Sequence, residues 1–233
     1  MTRLPVSLTV EDHRRDAAGM TYVYPVLSRR AGGISIGINL NPNNACNWRC
    51  VYCQVPDLRR GGPPPIDLRR LESEVDAIIG AIADGSLQTA VDDTAARRVA
   101  DVAFSGNGEP LSAKEFPEAL AVVDRVLTRR RLDGMMRRVI TNGSLVDRPW
   151  AVEGLARLGD HGEAWFKVDS ATVGGLARIN GTRTSPGTVL RRLKACARLC
   201  RTWVQTCVFA CDGHPPDAAE LAAYLALLGQ AAP

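Results

Sequence analysis

Hydrophobic and polar positions alternate along the chain in two rhythms. Residues 34–40 carry apolar side chains at every second position (Ile34, Ile36, Ile38, Leu40), which predicts a strand. Short apolar runs at 101–105, 138–141, 164–168 and 202–210 predict four more, and 22–26 is a candidate edge strand. Between them the apolar spacing lengthens to three and four. Leu71, Val75, Ile78, Ile79 and Ile82 predict a helix over 68–83, with Asp67 placed as N-cap and Gly85 as terminator. Leu120, Val123 and Leu127 predict one over 116–127. Further helices are expected at 149–158, opening on Pro149, at 186–199, and at 217–228 with Asp217 near its start.

Strands that alternate with helices of this length build βα units around a parallel sheet, an α/β fold. Five such units fit a partial, open βα barrel of five to six parallel strands; the full eight-stranded form needs about 250 residues. A sixth strand is not evident before the chain stops at Pro233. Residues 1–33 are expected as an N-terminal lead-in and 34–233 as one domain.

The chain has 233 residues, 45% apolar and 23% charged, a composition of folded proteins rather than disordered ones. No secretory signal is visible, and the uncharged tail 221–233 is shorter than the roughly 20 residues a membrane helix needs. A cytoplasmic protein with no membrane partner is expected. The net charge is +4, with arginines in pairs and triplets such as Arg129–Arg130–Arg131 and Arg191–Arg192. These suit solvated helix faces, or alternatively phosphate contacts, but with 5% aromatics base-stacking platforms are scarce.

Seven cysteines in a reducing compartment should be buried, catalytic or metal-bound rather than disulfide-linked. Cys46, Cys50 and Cys53 stand in the spacing C-x3-C-x2-C directly after the first predicted strand, at the end of a βα unit where parallel folds carry active sites. Structural zinc takes four ligands, yet no fourth cysteine or histidine is near; the histidines are His13, His161 and His214. A 4Fe–4S cluster also takes four thiolates, so three leave one iron open, as a reactive centre requires. The bland alternative is three buried cysteines at accidental spacing.

This loop, with Tyr52 just before its last cysteine, resembles the cluster loop of the radical S-adenosylmethionine (SAM) superfamily. Phe104 to Pro110 resembles the family's glycine-rich "GGEP" turn after the second strand. Ile140 to Leu145 resembles the turn after the third strand. Lys167 to Ser170, with Arg178 to Gly181, resembles the fourth-strand segment. The set is most similar to stand-alone members related to the wyosine-type tRNA-modifying enzymes, and runs from about Ile34 to Phe209. The resemblance implies that Cys46, Cys50 and Cys53 hold three irons of a 4Fe–4S cluster while SAM chelates the fourth. An electron then splits the C5′–S bond, giving a 5′-deoxyadenosyl radical that abstracts hydrogen from substrate. It also implies a low-potential electron donor of flavodoxin or ferredoxin type, and main chain near Tyr52 beside the adenine.

Within that resemblance, glycines at 106 and 108 permit close approach to a ligand and positive φ. Asn107 stands where the common pattern has its first glycine and tolerates left-handed geometry. Glu109 can accept a charge-assisted hydrogen bond from the SAM ammonium. Asn142 is a candidate for the ribose or the methionine carboxylate, or an ordinary turn asparagine. Lys167 and Asp169, two apart on a strand, share one side. They are expected as a polar pair near SAM or substrate, or else as a structural ion pair; Gln205 is a further candidate. Cys196, Cys200, Cys207 and Cys211 raise a second cluster as an alternative to buried core thiols.

The expected activity is therefore that of a radical SAM enzyme whose substrate is an RNA base, a peptide or protein, or a small molecule. Alternatives are an activase of a glycyl-radical enzyme, suggested by the run Tyr52 to Asp57, a deazapurine-type rearrangement enzyme, and an iron–sulfur electron-transfer or binding module that never cleaves SAM. Because the barrel is short, a macromolecular substrate or partner chain is expected to close its open side.

Overall fold

The computed structural model describes residues 7–9, 15 and 18–231. Eight strands and six helices follow one another: β1 (Val23–Ser28), β2 (Gly33–Ile38), β3 (Ala45–Cys46), β4 (Arg59–Arg60), α1 (Leu68–Ala83), β5 (Val99–Phe104), α2 (Phe116–Arg129), β6 (Met136–Thr141), α3 (Pro149–Ala156), β7 (Gly162–Lys167), α4 (Val173–Asn180), α5 (Pro186–Leu199), β8 (Arg201–Gln205) and α6 (Ala218–Ala231). The main sheet has the order β1-β2-β5-β6-β7-β8, and β3 and β4 form a separate small pair. From β2 to β8 every pairing is parallel, so the sheet has five parallel strands; β1, the strand expected at 22–26, adds to β2 antiparallel. The sheet stays open, a partial barrel.

Local chemistry places the helix ends as expected. The Asp67 side chain accepts from Arg70 N and starts α1, and α5 covers the predicted 186–199, capped by Ser185. Two expectations needed correction. The strand expected over 202–210 ends at Gln205, because its neighbour β7 ends at Lys167, the residue paired with Gln205, and no ladder partner continues. Cys207 therefore sits in a loop, not within a strand. Helix α4 was not anticipated: Gly174 and Gly175 weaken its intrinsic propensity. Capping by Thr172 and a left-handed Gly181 bound it instead.

One face of the sheet meets the helices. Ile34, Ile36, Ile38, Val102, Phe104, Val139, Ala164 and Phe166 are fully buried there. Phe104 meets Phe116 of α2 edge-on at 5.4 Å, and Gly154 of α3 lets that ring approach closely. The opposite face carries an ionic network at the N-terminal half of the strands. Arg138 donates to Asp101 and, at 2.6 Å, to Glu163; Ser35 also donates to Asp101. The indoles of Trp165 and Trp203 donate to Glu163 at 2.9 and 2.8 Å, and Arg30 stacks 4.6 Å above the Trp165 ring.

Many arginine pairs meet acids rather than standing free. Arg125, Arg129 and Arg130 of α2 and its end bridge to Glu72 and Asp76 of α1, and Arg191 and Arg192 bridge to Asp147. At the β8 edge, Trp203 and Val204 are exposed, as are Leu221 and Leu225 on α6. Among the described residues no helix is long and apolar enough to cross a membrane.

Candidate active site

Five of the nine residues from Asn39 to Asn47 are asparagines, and they shape the cysteine loop. Asn39 Oδ1 accepts from the main chain of Asn41 and Asn107, both at 3.1 Å. Asn41 Nδ2 donates to Ala45 O at 3.0 Å, and Asn44, in left-handed geometry, donates to Pro56 O at 2.9 Å. Short neutral amides satisfy the loop's main chain without placing a formal charge beside the thiols. The sequence reading did not single out this run, because no single asparagine in it is a motif residue.

The loop then docks on the end of α4, whose last carbonyls have no partner within the helix. Arg49 N donates to Asn180 O at 3.1 Å, Val51 N to Ile179 O at 2.9 Å, and the Arg60 guanidinium to Gly181 O at 2.6 Å. A Cβ on Gly181 would stand 2.8 Å from Arg49 O, and its φ of 60° favours glycine independently. The Asn180 side chain, fully buried, donates to Cys50 Sγ at 3.4 Å and to Asp169 Oδ2 at 2.8 Å.

Other strand ends reach the same loop. Asn142, after β6, donates to Asn47 Oδ1 at 2.9 Å; Asn47 in turn donates to Ser144 Oγ at 2.7 Å and accepts weakly from Cys46 Sγ. Tyr52 donates its hydroxyl to Asp169, and Lys167 Nζ lies 3.4 Å from Asp169 Oδ1 and 5.0 Å from the Tyr52 ring centre. So Tyr52, Lys167 and Asp169, 117 residues apart at the extremes of one hydrogen bond, form one cluster. Burial pushes the Cys46 thiol up to about 11, with Glu109 and the thiols at 50 and 53 adding to the rise. Burial also raises Cys50, while the hydrogen bond from Asn180 opposes it. Burial raises the Tyr52 hydroxyl, and the Asp169 charge raises it further.

The turn after β5 differs in detail from the expectation. Gly106 has a φ of 138° but Gly108 does not have positive φ, and Asn107 is not left-handed. The glycines are required by protein neighbours: a Cβ would come within 2.5 Å of Asn39 Oδ1 at Gly106 and within 2.2 Å of Ala45 O at Gly108. Asn107 donates to Asn44 Oδ1 at 2.7 Å. Glu109 is 2% exposed and its carboxylate is engaged inside the protein. It accepts from Leu111 N at 3.0 Å, Thr141 Oγ1 at 2.6 Å and Asn142 N at 2.6 Å, so it fastens the turn after β5 to the end of β6. Burial raises its carboxyl to about 7 against those three donors.

The remaining cysteines divide. Cys196 and Cys200 lie where α5 gives way to the start of β8, whereas Cys207 and Cys211 follow its far end. Five strand residues, roughly 17 Å, separate the two pairs, too far for one shared cluster. Cys196 is fully buried and accepts from Thr202 at 3.5 Å, as a core thiol does. Cys207 donates its main-chain N–H to Asp169 Oδ1 at 2.9 Å. Gln205 Oε1 is buried with no hydrogen-bond partner among the described residues.

The family model of the radical SAM superfamily matches residues 40–222. Among solved structures, SuiB of Streptococcus suis bound to S-adenosylmethionine is similar at a TM-score of 0.55 and 12% identity, over 87% of this chain and 40% of that one. TYW1 with a lysine-pyruvate adduct bound matches at a TM-score of 0.49 and 16% identity, over 86% of this chain and 62% of that one. A curated relative, the GTPase Obg of Brachyspira hyodysenteriae, is 27% identical over 122 residues, 52% of this chain and 15% of that protein. The chain thus spans well under half of SuiB and a small part of the curated relative. With a family match over most of its length and a fold shared with SuiB, the chain belongs to the radical SAM superfamily.

Proposed function

We propose that this chain is a radical SAM enzyme in which Cys46, Cys50 and Cys53 hold a 4Fe–4S cluster. The observation that carries this reading is the convergence on one loop: three thiols at the C-terminal end of β2, fastened from the ends of β5, β6, β7 and α4 by Asn107, Asn142, Asp169 and Asn180. The donor set fits the group. The thiols are near enough that charge at 50 and 53 raises Cys46, a mutual repulsion that iron would relieve. Among the described residues, however, no three His, Cys, Asp or Glu side chains converge as around a single ion. A cube seats each thiolate on its own iron and needs no such convergence, whereas one zinc ion does. Held by these three cysteines and reduced, the cluster would supply the electron for reductive cleavage of SAM, and so the means of hydrogen-atom abstraction from substrate.

The chain's own residues then have distinct tasks. Cys46, Cys50 and Cys53 deprotonate on binding iron. Glu109 holds the shape of the turn, leaving the main chain of Gly106, Asn107 and Gly108 to meet the SAM amino group. This replaces the direct carboxylate contact that the resemblance implies. Asn142 offers the ribose or carboxylate a polar contact while steadying Asn47. Lys167 and Asp169, tied to Tyr52, border the adenine and the substrate. Residues 34–233 act as one domain, fed by a flavodoxin- or ferredoxin-type donor. The exposed β8 edge, with Trp203 and Val204, supports closure by a large substrate or partner chain. RNA, peptide or small molecule each fits a site so open, although the acid-paired arginines weaken the case for RNA.

Anaerobic reconstitution tests the reading. About four irons per chain are expected, and dithionite with SAM should yield 5′-deoxyadenosine. Iron uptake unchanged in the triple Cys→Ala variant would overturn it, and so would iron-loaded protein that leaves SAM intact.

A further inference from the structure

Asn180 belongs to no cysteine motif, yet among the described residues its amide is the one side-chain amide that donates to a cysteine sulfur of the loop. It is fully buried at the last turn of α4. Its Nδ2 donates both to Cys50 Sγ at 3.4 Å and to Asp169 Oδ2 at 2.8 Å. Its Oδ1 is buried and unpartnered among the described residues, so the amide's orientation is set by the two acceptors at Nδ2. The reversed amide would press oxygen against the carboxylate of Asp169 and the sulfur of Cys50. The Asn180 main-chain oxygen meanwhile accepts from Arg49 N and the Ile179 oxygen from Val51 N, so the end of α4 grips the loop on both sides of the thiol. Asp169 extends the contact to Cys207 N, in the loop after β8, and to the Tyr52 hydroxyl.

We propose that Asn180 is a positioning residue that tunes the Cys50 thiolate, favouring the reduced state of the centre it holds. This rests on the cluster assignment above. The physical ground is charge: reduction adds an electron shared by the sulfurs, and a hydrogen bond donated to sulfur stabilises that added negative charge. Here the donor faces a sulfur that also lies near the carbonyl end of α4 and near the carboxylate of Asp169. Both disfavour negative charge, so the amide offsets them. The same amide holds Asp169, and through it the loop bearing Cys207, at a fixed distance from the cluster loop.

Two variants, Asn180→Leu and Asn180→Ser, read this out. Leucine removes the donor while keeping the branching at the γ carbon, and serine keeps a shorter donor. Each is reconstituted anaerobically beside the wild-type chain. Iron content, circular dichroism, the EPR spectrum of the reduced state and the midpoint potential by redox titration are then compared. With iron loading and helix content retained, the midpoint should move to more negative values in Asn180→Leu, with an altered EPR signal, and Asn180→Ser should fall between the two. A merely structural role would lower iron retention without moving the potential of the loaded fraction. Loaded variants with the wild-type potential and spectrum overturn the inference and leave the cluster assignment standing. If Asn180→Leu does not fold, Asn180→Ser decides by the same comparison. Wild-type protein that takes up no iron overturns both.

Discussion

The two ends of the parallel sheet solve the problem of buried polarity in opposite ways. At the N-terminal half, full charges neutralise each other: Asp101, fully buried, meets Arg138 and Ser35, and Arg138 also meets Glu163, whose oxygens take two indole donors. At the C-terminal end, neutral amides and main chain do most of the work around a loop of three thiols, two of which burial raises above the ordinary thiol value. One end pairs its charges with one another, although one Arg30 nitrogen is buried without a hydrogen-bond partner among the described residues. The other gathers three cysteines on one loop and leaves the buried oxygens of Asn180 and Gln205 without partners among the described residues. The difference teaches where to look for chemistry in a sheet with buried polar groups at both ends: at the end whose groups are not satisfied by each other.

That contrast can be broken at its closed end. Asp101→Ala removes the shared partner of Arg30, Arg138 and Ser35 and leaves two half-buried guanidinium groups without their common counter-charge. A loss of about 3–5 kcal/mol in urea unfolding is expected. The Cys46 loop should still take up iron in whatever fraction remains folded. Iron loss in proportion exceeding the folded fraction would show that the two ends are not independent.

The open end is tested next by Gly108→Ala. The added methyl would lie 2.2 Å from Ala45 O, a main-chain atom of the cysteine loop, so the loop must shift. The expected cost is about 1–3 kcal/mol, with faster iron loss to a chelator than in the wild type. A variant with wild-type chelation kinetics would mean that the approach of the two loops is not strict.

The smallest effect sharpens the comparison through pH. Although burial opposes it, hydrogen bonds from Arg138, Trp165 and Trp203 hold the Glu163 carboxyl below the usual carboxylate range. Its contribution to stability is therefore present above the unfolded-state value and disappears as pH falls through the lower folded value. Glu163→Gln should cost about 1 kcal/mol at neutral pH and flatten the acid limb of the stability profile. An acid limb identical to wild type would place that pH dependence elsewhere.

Much of the architecture was legible from periodicity. Helices 68–83 and 186–199 are found at the expected residues, because amphipathic spacing and, for the first, the Asp67 cap are local signals. The cysteine spacing and the glycine–acid turn were equally visible in the chain. Helix α4 was hidden by its glycines, and the end of β8 by an apolar run that continues past its ladder partner. At the site, Glu109 was visible as a residue but its partners were not: three donors from Leu111, Thr141 and Asn142 engage it only once β5 and β6 stand side by side.

The sequence by itself determined the order of βα units and the spacing of the three loop cysteines, since these rest on neighbours within a few positions. Only the tertiary structure decided which polar group meets which thiol. Asn180 reaches Cys50 across 130 residues, and Asp169 reaches Tyr52 across 117. No local pattern encodes such a meeting. It follows from the parallel sheet, which carries the ends of distant strands to one edge and leaves their side chains to satisfy one another there.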